Sequence, residues 1–86
     1  MSYKVDWEQN ALNALDKLDS IVINRILFKI TRLSANFDSI KHEALRGKLR
    51  GYYKLKVGHY RVIFSLERRT KTIVIEDVGH RRDIYE

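Results

Sequence analysis

The dipeptide Gly58-His59 lies between two runs of alternating side chains, Tyr52 to Val57 and Tyr60 to Leu66, and constrains this chain more than any other feature. Alternation at period 2 predicts strands, and a two-residue link led by glycine suits a type II′ hairpin turn. The register then follows. Val57 faces Tyr60, Lys56 faces Arg61, Leu55 faces Val62, Lys54 faces Ile63 and Tyr53 faces Phe64. One face of the hairpin carries Tyr53, Leu55, Val57, Tyr60, Val62 and Phe64 and is predicted to be core. The other carries Tyr52, Lys54, Lys56, Arg61, Ile63 and Ser65, predicted as an open, basic face. Lys56 directly across from Arg61 costs on the order of tenths of a kcal/mol to one. Two arrangements would relieve it: a bound phosphate, which converging cations stabilise, or Glu43, Glu76 or Asp77 reaching over.

The rest of the chain supplies partners for that core face. Tyr3 to Trp7 alternates and predicts a strand. From Glu8 the spacing of Ala11, Leu12, Leu15 and Leu18 is helical, with Asp6 or Asn10 as candidate caps. Ser20 is the candidate cap of a second helix, whose apolar stripe is Ile23, Ile26, Leu27, Ile30 and Leu33. So short a break predicts an antiparallel helix hairpin. Residues 34–51 have no clear period and predict a long basic loop, with a short helical turn around His42 to Leu45. Glu67 to Lys71 is a polar turn and Thr72 to Gly79 a β-branched strand. Glu76 and Asp77 fall on opposite faces of that strand, which leaves its inner face unassigned. The order β-α-α-β-β-β predicts an α+β fold: a mainly antiparallel sheet with the two-helix hairpin packed on one face.

Composition narrows the function. The chain has 86 residues, which predicts one domain over 1–86. Without Cys it has no disulfide, no thiolate metal site and no thiol nucleophile. No apolar run approaches the ~20 residues of a membrane span, and the first residues lack a signal-peptide apolar region. A basic, cytoplasmic globular domain without membrane attachment is the expectation. Its net charge of +6 is unevenly placed. Residues 1–40 hold five basic and five acidic side chains, whereas residues 41–86 hold twelve and six. Charge confined to one half suits a polyanion site, or a solvated surface kept for solubility.

Lys54, Lys56, Arg61, Arg81 and Tyr85 together can make a phosphoryl-transfer site that needs no metal. RNA carries its own nucleophile, the 2′-hydroxyl. Such a site must take that proton, neutralise the crowded phosphate and protonate the departing 5′-oxygen. Cations serve the second task, and a tyrosine, lysine or histidine the first or third. Arg81 and Tyr85, four residues apart, share one side if the tail is helical. His80 and His59 are the titratable candidates, although a histidine at a hairpin tip also serves as a solvated turn residue. Arg46, Lys48 and Arg50 fit contacts to an RNA backbone or a solvated loop. Tyr52 fits stacking on a base or packing on its own sheet. Three histidines and scattered carboxylates show no ligand spacing, so neither a metal nor another cofactor is expected.

Three blocks in this order, Leu45-Arg46-Gly47, residues 51–64 and Val78 to Tyr85, resemble the RelE/ParE superfamily of toxin–antitoxin toxins, most closely its RelE branch. The resemblance covers essentially the whole chain, strand and helix order included. It implies an mRNA interferase that cleaves message in the ribosomal A site, without metal, by attack of the 2′-hydroxyl. The family's basic and tyrosine positions fall on Lys54, Lys56, Arg61, Arg81 and Tyr85. Arg61 and the lysines would hold the scissile phosphate. Tyr85 would orient or deprotonate the 2′-hydroxyl or stack on a base, and Arg81 would assist the leaving group. His80 stands where some relatives have a lysine and could share the proton transfers. The sequence ends one residue after Tyr85, so a C-terminal helix found in some relatives is expected to be missing or reduced to a turn. The implied partners are the ribosome, mRNA and an acidic, RelB-like antitoxin that wraps the toxin. Two other readings stand beside this one: a ParE-like poison of DNA gyrase, and a non-catalytic RNA-binding module.

Overall fold

The computed structural model describes residues 2–84. In chain order the elements are β1 (Lys4–Trp7), α1 (Gln9–Asp16), α2 (Ser20–Ala35), β2 (Glu43–Ala44), β3 (Tyr53–Val57), β4 (Tyr60–Glu67) and β5 (Thr72–His80). Single 3-10 turns lie at Phe37–Ser39 and Gly47–Leu49. The five strands form one sheet ordered β1-β5-β4-β3-β2, antiparallel except for the β1–β5 pair. The predicted α+β architecture is present, with one more strand than the sequence pattern revealed.

The hairpin register is the expected one at all five positions, from Val57↔Tyr60 to Tyr53↔Phe64. Gly58 takes φ +59° while His59 keeps a negative φ, as a type II′ turn requires and a type I′ turn does not. The apolar face of the hairpin is core. Val57, Val62 and Phe64 pack with Ile73, Ile75 and Val78 of β5, and both helices close over them through Ala11, Ile26, Ile30 and Leu33. Each of the Val, Ile, Leu and Phe side chains contributes about 1.5–3 kcal/mol on burial, and together they fix the helices to one face.

Strand β5 has its inner face decided by a bulge. Phe64 pairs with Ile75 and Ile63 with Asp77, which leaves Glu76 as the extra residue. Alternation therefore resets: Ile73 and Ile75 point into the core before the bulge, and Val78 after it. Neither candidate cap of α1 is used. Glu8 is the extended residue before the helix, and its N–H bonds to Ile75 O at 2.9 Å, continuing the strand ladder. Asn10 instead donates its Nδ2 hydrogen to Glu76 O at the bulge, 3.2 Å away. Asp19, rather than Ser20, precedes α2.

The predicted long loop is more ordered than its composition suggested. Its helical turns fall at Phe37–Ser39 and Gly47–Leu49, and not around His42 to Leu45, where β2 pairs with β3. His42 stacks on Phe37 at 3.9 Å between centroids, and its Nε2 lies 2.8 Å from Phe37 O. That contact holds the chain entering β2.

Candidate functional site

The second face of the sheet, expected to be open, is partly covered. Ile63 is buried there with Leu45 and Ile84, and Leu49 and Tyr52 pack around them. The loop before β3 supplies Leu45 and Leu49 as anchors. Leu45 N–H bonds to Tyr52 O at 2.9 Å and Tyr52 N–H to Leu49 O at 3.0 Å. Around these anchors Arg46, Lys48 and Arg50 point outward and are exposed. The tail supplies Ile84, which returns over β5 by one helical turn begun at His80 O. Gly79 allows the close approach: a Cβ there would sit 3.0 Å from Ile84 Cγ1.

Beside this apolar strip the cations line up. Lys54 and Lys56 on β3 and Arg61 on β4 share the face, with Lys56 and Arg61 as direct partners. Arg61 is not open to solvent. Only 7% of it is exposed, and its Nη1 donates to Gly58 O and Tyr60 O, both at 2.9 Å. Both Nη1 hydrogens are thus used inside the hairpin turn. Lys56 is solvated and lies 3.7 Å from the Glu43 carboxylate, each side chain being 54% exposed. Glu43 reaches it because β2 sets Glu43 opposite Lys54, diagonal to Lys56. Of the three acids able to offset the Lys56–Arg61 repulsion, the structure therefore selects Glu43. Glu76 accepts a hydrogen bond from Ser65 Oγ at 2.7 Å, and Asp77 one from the Val78 N–H at 2.9 Å.

The remaining candidates divide. Arg81 is exposed, and its backbone N–H donates to His59 O at 2.7 Å, tying the tail to the hairpin tip. Tyr52 is half-buried and lines a cavity of about 360 Å³ with Leu49, Ile63, Glu76, Asp77, Ile84 and Asn10. Tyr85 lies outside the described residues. His80 does not join the cations. It pairs with Tyr60, in the row of Val57, Val62 and Val78, so its ring is on the helix side of the sheet. There it meets the rings of Tyr60 at 5.3 Å and His59 at 6.1 Å. Loss of hydration, then the charge of Arg82, hold its pKa below the ordinary imidazole value. Strand β2, which decides for Glu43 among the three acids, and the apolar strip are the parts sequence reasoning missed. Their one signal was Leu45 and Leu49, set four apart among cations.

A family model described as the ParE toxin of type II toxin–antitoxin systems matches residues 5–85, nearly the whole chain. The chain belongs to this toxin family. Solved structures agree. The RelBE2 toxin–antitoxin complex of Mycobacterium tuberculosis matches with a TM-score of 0.83 at 27% identity, over 94% of this chain and 100% of that one. The isolated E. coli RelE toxin matches at 0.77 and 25% identity, over 92% and 84% of the two chains. The archaeal RelE–RelB complex of Pyrococcus horikoshii matches at 0.74 and 25%, over 98% and 100%. No curated protein matches the chain by sequence. The protein is thus a toxin of a type II toxin–antitoxin system with the RelE fold. Among the described residues no helix is long and apolar enough to cross a membrane.

Proposed function

We infer that this toxin is an endoribonuclease that cuts mRNA in the ribosomal A site and so stops translation. The observation that carries the reading is the row Lys54, Lys56 and Arg61 on one sheet face, in a register fixed by the hairpin. In the reaction the 2′-oxygen attacks phosphorus and loses its proton to a base. The bond from phosphorus to the 5′-oxygen breaks, and that oxygen takes a proton. The products are a 2′,3′-cyclic phosphate and a 5′-hydroxyl, so the RNA supplies every covalent participant and a metal is not required. Lys54, Lys56 and Arg61 neutralise the crowded phosphate. Arg61 suits this because its guanidinium is already held by two carbonyls and need not reorganise. Arg81 assists the leaving group, and Tyr85 orients or deprotonates the 2′-hydroxyl. Arg46, Lys48 and Arg50 contact the RNA backbone, and Tyr52 lies where a base could stack.

The ribosome and mRNA are the proposed targets, and an acidic RelB-like antitoxin is the proposed inhibitor. Solved relatives from M. tuberculosis and P. horikoshii are toxin–antitoxin complexes, which supports the antitoxin. A second reading, a ParE-like poison of DNA gyrase, is favoured by the description of the matching family model. The test uses purified toxin with ribosomes paused on a defined codon. The expected product is message cut inside that codon with a 2′,3′-cyclic phosphate end. Uncut message on toxin-bound ribosomes would refute the ribonuclease reading.

A further inference from the structure

His80 is set apart from the cation row, and it lines a cleft on the helix side of the sheet. The cleft, about 520 Å³, is bounded by Leu18 in the link between α1 and α2, by Tyr60 and Val78 of the sheet, and by Arg82 and Asp83 of the tail turn. Lys17 lines it from the residue closing α1. We propose that this cleft binds one phosphate-bearing nucleotide, on the opposite side of the sheet from Lys54 and Lys56.

Each part of a nucleotide finds a matching group. Lys17 and Arg82 bring two exposed cations from separate elements, suited to a phosphate. His80 adds a neutral donor. Its Nδ1 accepts the backbone N–H of Arg82 at 3.1 Å, so in the neutral ring the hydrogen is on Nε2. The Tyr60 ring, with Leu18 and Val78, gives an aromatic and apolar wall for a base. Asp83 is an acceptor for amino or hydroxyl hydrogens. An acidic side chain of a protein partner would use the cations but leave most of this volume and the Tyr60 wall unfilled. The nucleotide is either a unit of an RNA strand that passes the hairpin tip or a free nucleotide. The first source rests on the ribonuclease reading, the second does not.

The test is a nuclear magnetic resonance titration of the full chain, following the His80 ring nitrogens, Tyr60 and the Lys54 and Lys56 signals. One arm adds adenosine monophosphate. The other adds a tetranucleotide carrying 2′-O-methyl groups, which cannot be cleaved. Saturable shifts at His80 and Tyr60 are expected in at least one arm. The double variant Lys17→Ala/Arg82→Ala should weaken that binding about 10-fold as two phosphate contacts are lost. Shifts from the monophosphate alone identify a free nucleotide, and shifts from the tetranucleotide an RNA segment. If RNA moves Lys54 and Lys56 but neither ligand moves His80 and Tyr60, the cleft proposal is overturned while the ribonuclease reading stands. If the monophosphate fills the cleft but the tetranucleotide moves nothing, the cleft stands as a free-nucleotide site, and cleavage on paused ribosomes decides the ribonuclease reading separately. A glutamate-rich peptide that shifts His80 and Tyr60 where neither nucleotide does would also overturn the proposal.

Discussion

Arg61 and Lys56 face each other across the hairpin, yet they hold their charges in different ways. Arg61 is buried with Nη1 on two turn carbonyls, so Arg61→Ala removes a cation and strands those carbonyls. We expect a loss of about 1–3 kcal/mol of stability together with loss of RNA cleavage. Lys56 forms a solvent-exposed pair with Glu43, and exposed pairs contribute roughly 0–1 kcal/mol. Lys56→Ala should therefore lose cleavage with little change in stability. Urea unfolding of the two variants beside a cleavage assay separates the roles, and equal stability losses would contradict this account. His80 gives a second prediction. Its pKa is held down in the folded chain, so the unfolded chain binds more protons as acidity rises. The stabilising contribution is present above about pH 6.5, the unfolded histidine value, and is lost as pH falls through the folded pKa. Unfolding measured between pH 7.5 and 5.5 should show that loss, and His80→Gln should flatten it.

At the scale of elements, the β3–β4 hairpin was fully legible because a two-residue turn and strict alternation leave one register. The inner face of β5 was not legible. The bulge at Glu76 adds one residue, and no alternating pattern can be continued through it. Strand β2 is two residues long, too short to show a period, so the sequence left Glu43 as one of three acids that could reach Lys56 and gave no sign that the second face is partly covered. The cation row was legible for Lys54 and Lys56, whereas the burial of Arg61 depends on carbonyls in a turn whose side-chain contacts have no sequence signature. His80 lay just beyond the predicted strand, which ended at Gly79, so no face was assigned to it; β5 runs one residue further, and Tyr60↔His80 puts it in the core row. The covered strip gives a prediction of its own. Leu45→Ala should cost about 2–4 kcal/mol. It should also speed amide exchange at Leu45 and Tyr52, whose hydrogen bonds tie the basic loop to β3. Unchanged exchange there would mean that the loop is held by something other than this anchor.

For the whole molecule, the two faces of the sheet divide the work. One face is closed by helices and makes the fold, so the other can carry cations that a small core could not otherwise tolerate. The excess of positive charge, all of it after residue 40, is what an acidic antitoxin or an RNA backbone would both recognise. A module that only binds RNA should lose affinity in small steps when Arg81 or Tyr85 is replaced, whereas an enzyme should lose orders of magnitude in rate while still binding. The most direct measurement is induced expression in cells followed by mapping of message 5′ ends, for the unaltered toxin and for Lys56→Ala. The ribonuclease account predicts new ends inside translated codons that vanish in Lys56→Ala. Intact message accompanied by gyrase-linked DNA breaks would contradict it.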